Sequence, residues 1–412
     1  MAPPLSPARE ADSRPPNPWR VIFAGLAATL IANGFGRFAY TPLIPAQIAA
    51  DWFSPSQTIY FGAANLAGYL VGALSAGYVG RHVTNVPLLL RGMMLLAAAS
   101  FFACAWPLSG AWFLGWRFVA GVTGGYLMVL AAPIILPHVT PARRGLAAGA
   151  IFLGVGLGIL ASGLIIPLLL RLGVAEAWLG IGIAALILTL LAWKTWPASG
   201  SVDAGDAGPL TLRSPAQARL IRALYLEYGL TAVGQVTHVL FLVDFIARGL
   251  GHGVEIGSTY WIAFGVGSVI GPICAGFAAD RIGFRLALRL SLLLQASAVL
   301  LPILSTGPPA LLIASFTIGS FISGSVALTL GCARELTPGD SRDQAVAWGR
   351  CTAAFAIGQA IAAYAYSALF ANFGDVYLTI FAIGGAGFAL ALAIDLLVGF
   401  GRQDATASGD RR

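Results

Sequence analysis

Twelve stretches of mainly apolar residues, each about 20 residues or longer, constrain the fold of this chain more than any other feature. A helix needs about 20 such residues to cross a bilayer, and helices satisfy their own backbone polar groups there. Only 10% of the 412 residues are charged, whereas soluble domains carry roughly 25%. The sequence therefore predicts an all-α integral membrane protein. The predicted spans are 19–47, 56–80, 86–106, 109–137, 145–170, 175–196, 219–247, 256–279, 286–304, 308–333, 343–371 and 375–400.

Basic residues are distributed unevenly between the two ends of these spans. Of the 24 lysines and arginines, nineteen fall on the side of the chain termini, two on the other side and three within spans. The positive-inside rule places the richer side in the cytoplasm. We therefore expect a multi-pass protein of a bacterial-type inner membrane with both termini cytoplasmic. The net charge of +7 follows from this bias at the membrane surface, so we expect lipid and no nucleic acid as a partner.

The two halves of the chain match each other at an offset of 200 residues. Residues 72–81 align with 272–281, Gly34 aligns with Gly234, and a polar Gly/Ser/Pro linker separates the halves. This pattern predicts a tandem repeat of two six-helix bundles. The predicted segments are a disordered cytoplasmic tail at 1–18, a first bundle at 19–196, a cytoplasmic linker at 197–218, a second bundle at 219–400 and a cytoplasmic tail at 401–412.

Arg37 is the most unusual residue of the predicted spans, because no other charge occurs between positions 21 and 50. A guanidinium at bilayer depth costs between ~3 and ~10 kcal/mol, and it keeps its charge at physiological pH. We therefore expect Arg37 to face a cavity or a partner rather than lipid. Pairing with a helix carbonyl or with Asp244 is the structural alternative to a role in binding.

Three further polar side chains are predicted at the depth of Arg37. At about 1.5 Å per residue, Asn65, Arg117 and His238 lie roughly 12–15 Å below the outer surface, as Arg37 does. Two guanidinium groups suit bidentate capture of carboxylate, phosphate or sulfonate, so Arg37 and Arg117 predict a small organic anion as substrate. The candidates for further substrate contacts are Asn33, Tyr40, Asn65, Tyr69, Gln235, His238 and Gln359.

Acidic side chains are scarce in the spans, and Glu227 is the leading candidate for a proton carrier. An acid inside an apolar helix favours its neutral, protonated form. An ion pair with Arg350, which itself could form a gate, is the alternative for Glu227. Asp244 and His238 are further candidates, His238 because imidazole titrates near neutral pH, although a buried histidine is more often simply hydrogen-bonded.

Loop and span motifs resemble those of the major facilitator superfamily over nearly the whole chain. The loop motif Gly276-x-x-x-Asp280-Arg281-x-Gly283-x-Arg285 follows span 8, and only Arg81 of the matching loop motif follows span 2. Span 4 carries Arg117-x-x-x-Gly121-x-x-Gly124, and span 5 carries an antiporter-like glycine pattern in which Ile159 replaces the proline. The resemblance implies two bundles that rock about a central cavity lined by spans 1, 4, 7 and 10. It also implies that Arg117 could serve coupling or locking instead of binding.

The resemblance also implies gating residues at the basic ends of the spans. Asp280 is expected to contact the start of span 5 near Arg143 and Arg144, whereas the mirrored contact from Gly80 to span 11 is expected to be missing. The full set of gating candidates is Arg81, Arg144, Asp280, Arg281, Arg285 and Arg350.

More narrowly, three patterns are similar to the YbfB/YjiJ branch of that superfamily: the run 36–45, Asn65-x-x-Gly68-Tyr69, and Tyr228-Gly229 followed by Phe241-Leu242. We therefore expect a monomeric, proton-coupled secondary transporter that needs no cofactor and no metal and is not an enzyme. No ATP-binding Walker motif occurs. The main alternative is a proton-coupled exporter of drugs or other amphipathic compounds. A channel and an intramembrane enzyme are remote alternatives.

Overall fold

The computed structural model confirms twelve helices long and apolar enough to cross a membrane. It describes residues 18–140, 143–197, 214–338 and 341–409, without the side chains of 144–146, 341, 342, 345 and 399–409, and this part of the chain contains no strand. Most of the predicted linker and of the first tail therefore lies outside the described residues. The helices are α1 Pro18–Ala49, α2 Pro55–His82, α3 Val86–Cys104, α4 Gly110–His138, α5 Arg144–Leu170, α6 Val174–Ala192, α7 Pro215–Gly249, α8 Gly253–Ile282, α9 Phe284–Leu304, α10 Pro308–Leu336, α11 Ser341–Phe373 and α12 Tyr377–Gly409.

Polar side chains cap the first turns of several helices. Ser54 accepts a hydrogen bond from the backbone N–H of Gln57, whose side chain bonds back to Ser54, at the start of α2. Ser109 and Ser214 accept the equivalent bond at the starts of α4 and α7. These caps satisfy N–H groups that have no partner inside the helix, so the sequence defines where these spans begin.

Helices α1–α6 and α7–α12 form two bundles with related packing. The pair α2 and α4 in the first bundle corresponds to α8 and α10 in the second. Gly121 of α4 lies against the backbone of Asn65, and Gly319 of α10 lies against the backbone of Phe264. Small residues allow this close approach in membranes. Between the bundles, α1 contacts α7, α2 contacts α11 and α5 contacts α8. The domain limits 19–196 and 219–400 stay predictions.

A π-helical stretch, Leu30–Phe38, interrupts α1 near its middle. The N–H of Ala39 bonds to the carbonyl of Gly34, five residues back, at 2.9 Å. π-Helical turns in helices are frequent at functional sites. Arg37 lies in this stretch, so the irregular backbone of α1 sets the direction of its side chain.

The two bundles contact each other at one end of the spans and are separated at the other end. We call the side on which α1 begins the basic side, and the opposite side the far side. On the far side, the hydroxyl of Thr41 donates to the carbonyl of Val239 at 2.5 Å, and the indole N–H of Trp261 donates to Ser162 at 3.1 Å. Tyr60 and Tyr364 also pack together there, with ring centres 6.2 Å apart.

Glycines on α5 and α8 show where this contact ends. Gly156 and Gly163 of α5 lie against α8. Gly149 lies one further heptad toward the basic side, on the same face of α5, and a Cβ built on it meets no atom within 4 Å. Gly276, on the basic half of α8, is equally open. Because the same helix faces touch on the far side and separate on the basic side, the described structure is open toward the basic side.

Gly34→Ala is expected to destabilise the protein, because the added Cβ would lie 2.6 Å from the Cα of Gly158 in α5. Overpacking of this kind costs about 1–3 kcal/mol. Gly115→Ala is the matched control, since nothing lies within 4 Å of its Cβ position. Thermal unfolding of the detergent-solubilised variants tests the contact, and equal melting temperatures would contradict it.

Candidate functional site

Arg37 lies between the two bundles, and no described acidic residue pairs with it. The phenol groups of Tyr69 on α2 and Tyr228 on α7 lie close enough to its guanidinium to interact electrostatically. Its Nε is buried and has no hydrogen-bond partner, and within the described residues it forms no ion pair. The guanidinium carbon lies 4.8 Å from the ring centre of Phe38. Arg37 thus brings an uncompensated positive charge to the junction of α1, α2 and α7.

Arg117 is enclosed within the first bundle instead. Its side chain is 1% exposed, and its guanidinium carbon lies 4.1 Å from the ring centre of Tyr40 and 5.7 Å from that of Trp178. Its NH1 donates to the carbonyl of Gly36 at 2.9 Å. The predicted pair of arginines around one anion is therefore not formed in this structure, because Arg117 is used to support the π-helical part of α1.

The other polar candidates of the first bundle bond to neighbouring protein groups. The amide of Asn65 donates to the carbonyl of Arg117 at 3.1 Å, and that of Asn33 points at the sulfur of Met128 at 3.2 Å. The hydroxyl of Tyr40 donates to the carbonyl of Thr58 at 2.7 Å. These three side chains join helices, as polar groups do in lipid, and only Tyr69 of this set approaches Arg37.

The candidates of the second bundle are completely buried. Gln235 donates to Gln295 at 2.9 Å and to the carbonyl of Phe321 at 3.0 Å, which links α7, α9 and α10. His238 shares a 3.2 Å contact through Nδ1 with the hydroxyl of Thr237, and its Nε2 has no partner. Both amide atoms of Gln359 are buried without a partner. The structure does not bring these residues to Arg37.

Glu227 lines a cleft at the basic end of the second bundle. The cleft is formed with Arg285, Glu335 and Asp395 among others. Arg285 pairs with Asp395 at 2.6 Å, and Arg289 pairs with the second oxygen of the same carboxylate. Glu227 is 3% exposed and has no ion pair with any described residue. The alternative for Glu227, an ion pair with Arg350, is therefore not formed among the described residues.

Asp244, the other acidic candidate, is fully paired near the far end of α7. Arg248 contacts both of its oxygens, at 2.5 and 2.6 Å, and the hydroxyl of Tyr377 donates to it at 2.7 Å. Asp244 is therefore paired with Arg248, and the alternative ion pair between Asp244 and Arg37 is not formed among the described residues. The bond from Tyr377 ties α7 to α12 in this state.

The gating candidates are separated on the open basic side. Asp280, Arg81, Arg281 and Arg350 are exposed, and the guanidinium of Arg281 rests 3.8 Å above the ring of Phe277. Asp280 has no ion-pair partner among the described residues, so the expected contact with Arg143 is not formed here. The side chain of Arg144 lies outside the described residues. Arg285 pairs with Asp395 within the second bundle.

The aromatic residues packed around Tyr228 were missed by the sequence reasoning. Tyr228 packs against Phe355 with ring centres 4.6 Å apart and against Trp348 at 6.0 Å. Trp348 and Phe355 are seven residues apart, so they share one face of α11. That spacing was visible in the sequence, but aromatic residues at helical spacing are usual in any helical core.

Asp395 was visible as one of the few acids in the predicted spans, but its partners Arg285 and Arg289 were not, because they lie on another helix. Tyr377 gave no signal, since its partner Asp244 also lies on another helix.

Arg117→Lys is expected to lower stability by about 1–3 kcal/mol, because lysine loses the bond to Gly36 and the stacking on Tyr40. Arg37→Lys is expected to change it by less than about 0.5 kcal/mol, since Arg37 forms no hydrogen bond or ion pair with any described residue. Thermal unfolding of both variants measures the difference. A larger loss of stability for Arg37→Lys than for Arg117→Lys would show that Arg37, and not Arg117, is the arginine with the structural role.

Comparison with known proteins gives the chain its family. The model of the family described as "Uncharacterised MFS-type transporter YbfB" matches residues 29–396. The xylose transporter XylE from E. coli, in a partially occluded inward open conformation, is similar in structure with a TM-score of 0.68 at 15% identity, over 91% of this chain and 96% of that chain.

A second solved structure, a bacterial homolog of the human lysosomal transporter Spinster in an inward-facing and occupied conformation, gives a TM-score of 0.67 at 16% identity, over 94% of this chain and 97% of that one. None of the curated proteins matches the chain in sequence. The likenesses confirm the major facilitator fold, and the family match confirms that the protein is a transporter and not an enzyme. The chain belongs to the YbfB family of MFS-type transporters.

Proposed function

We propose that the chain is a proton-coupled secondary transporter of a small organic anion, working as a monomer in a bacterial-type inner membrane with its basic side in the cytoplasm. The observation that carries the proposal is the guanidinium of Arg37, which lies between the bundles and forms no hydrogen bond or ion pair with any described residue. A charge within the membrane that has no counter-ion is costly. A carboxylate or another anionic group on the substrate supplies that counter-ion, and it offers the bidentate geometry that a guanidinium prefers.

Glu227 is the proposed proton carrier. Arg285 lines its cleft, and both Arg285 and Arg289 bind Asp395. Glu227 is thus left without an ion-pair partner among the described residues, and a bound proton is the simplest way to neutralise it. Its neighbour Tyr228 interacts with Arg37. Proton and substrate sites therefore lie next to each other along α7, which permits one site to influence the other through a movement of that helix.

Asp280, Arg281 and the start of α5 are proposed to form the gate on the basic side. In the open state described here Asp280 is exposed and unpaired among the described residues. Rocking of the bundles brings the basic halves of α5 and α8 together and opens the far side. In that state Asp280 is placed to meet the basic start of α5.

Export of amphipathic compounds is the second candidate function, and the aromatic pair Tyr228 and Phe355 favours it. Cationic drugs fit poorly, because the free charge at the site is positive. The two functions therefore differ in the charge of the ligand that the site accepts.

Arg37→Gln is expected to abolish ligand stabilisation by anions. Acetate, benzoate, methanesulfonate and inorganic phosphate, with ethidium and tetraphenylphosphonium as cations, are tested by thermal shift on the purified protein. A ligand at 100 times its Kd stabilises by ~2.7 kcal/mol. We expect at least one anion to stabilise the wild type and not the variant, with Arg37→Lys partly active. Stabilisation by the cations alone, unaffected by Arg37→Gln, would support drug export and contradict the proposal.

Glu227→Gln is expected to abolish proton-driven accumulation of a transported anion while leaving anion exchange intact, because glutamine imitates the protonated acid but cannot release a proton. The measurement is uptake into proteoliposomes with and without a pH gradient. Glu335→Gln, in the same cleft, is the control and is expected to retain coupling. Accumulation by Glu227→Gln equal to that of the wild type would exclude Glu227 as the carrier.

A further inference from the structure

We infer that the substrate is an aromatic monocarboxylate: one carboxylate on a flat, otherwise apolar ring. This inference rests on the proposed function and adds the chemical class of the ligand. It follows from the number of charges at the site, from the hydrogen-bond donors beside Arg37 and from the shape of the wall contributed by α7 and α11.

The site offers one positive charge to the ligand. Arg117 is 1% exposed and is held by Gly36, Tyr40 and Trp178. Among the described residues, Arg37 is the arginine that interacts electrostatically with both Tyr69 and Tyr228. A second negative charge on the ligand would be left without a partner in a site of low polarity. The site therefore favours a monoanion over a dianion.

Two phenol groups complete the site for the carboxylate. Tyr69 and Tyr228 approach Arg37 from opposite bundles. Neither hydroxyl makes a hydrogen bond to any described residue. A carboxylate has two oxygens that together accept about four hydrogen bonds. The guanidinium fork offers two N–H donors and the two hydroxyl groups offer two more, so the number of donors matches the number that one carboxylate accepts.

The rest of the site is aromatic. The ring of Tyr228 is inclined by 35° to both Phe355 and Trp348, at 4.6 and 6.0 Å. Phe355 and Trp348 are only partly buried, so part of each ring surface is available to a ligand. Aromatic rings attract one another beyond the area they bury, by about 0.5–1.5 kcal/mol in offset or edge contacts. A flat ring attached to the carboxylate extends from Arg37 toward this surface.

Binding of matched small molecules to the purified, full-length protein tests the inference by isothermal titration. Benzoate is compared with cyclohexanecarboxylate, which has the same charge but no aromatic ring, with phthalate, which has two carboxylates, and with benzyl alcohol, which has no charge. We expect benzoate to bind about 3 to 10 times more tightly than cyclohexanecarboxylate, as the aromatic contact predicts. Phthalate is expected to bind more weakly than benzoate. The titration with benzyl alcohol is expected to show no saturable binding.

Variants separate the aromatic contact from the charge. Phe355→Leu is expected to bring the affinities for benzoate and cyclohexanecarboxylate together while both still bind, and Arg37→Gln to abolish both. Phe373→Leu is the control, since Phe373 lies on the same helix with 73% of its surface exposed. Trp348→Leu gives a second test of the same surface if Phe355→Leu does not fold.

The outcomes distinguish this inference from the proposed function. Equal binding of benzoate and cyclohexanecarboxylate, both dependent on Arg37, would overturn the aromatic class and leave anion transport standing. Tighter binding of phthalate than of benzoate would overturn the single charge. Absence of binding by every carboxylate would overturn both proposals.

Discussion

The hydrogen bond from Arg117 to the carbonyl of Gly36 is the interaction on which the proposed site depends. It anchors the π-helical stretch of α1 to α4 at 2.9 Å, in the interior of the first bundle. Tyr40 and Trp178 enclose the same guanidinium. Arg117 therefore acts in our account as a positioning residue. By fixing the backbone at Gly36 it directs the next side chain, Arg37, toward the second bundle.

The π-helical stretch of α1 packs closely against its own bundle, whereas the two bundles can move relative to each other. Gly34 and Gly158 bring α1 and α5 into backbone contact within the first bundle, so this half of the protein can move as a unit. Contacts between the bundles occur in the far halves of the helices, where Thr41, Ser162 and Trp261 take part. Arg37 lies near the point where these contacts end. An anion bound there touches both bundles, and its binding energy can favour one arrangement of them over another.

Much of the fold was predictable from the sequence, because the bilayer imposes simple requirements on it. The number of spans followed from apolar length. The capping residues Ser54 and Ser214 mark the starts of α2 and α7 more closely than apolar length did, since span 7 was predicted from residue 219 and the helix begins at Pro215. The prediction that Arg37 faces a cavity or a partner also came from the sequence, since a lone charge in an apolar helix is costly in lipid. The different surroundings of Arg37 and Arg117 could not be predicted, because equal depth in the membrane does not define which way a side chain points. The direction depends on the π-helical turns of α1, and no local motif marks those turns. The aromatic surface of α7 and α11 was missed for a similar reason, since tertiary packing alone brings Tyr228 beside Phe355.

The central claim is that Arg37 receives the carboxylate of the substrate. Anomalous diffraction from crystals of the full-length protein grown with 4-bromobenzoate tests it most directly, because the bromine marks the far end of the ring. Our account predicts the carboxylate on the guanidinium of Arg37 and the bromine beside Phe355 and Trp348. A bromine signal elsewhere, with Arg37 paired to a protein carboxylate or carbonyl, would contradict it.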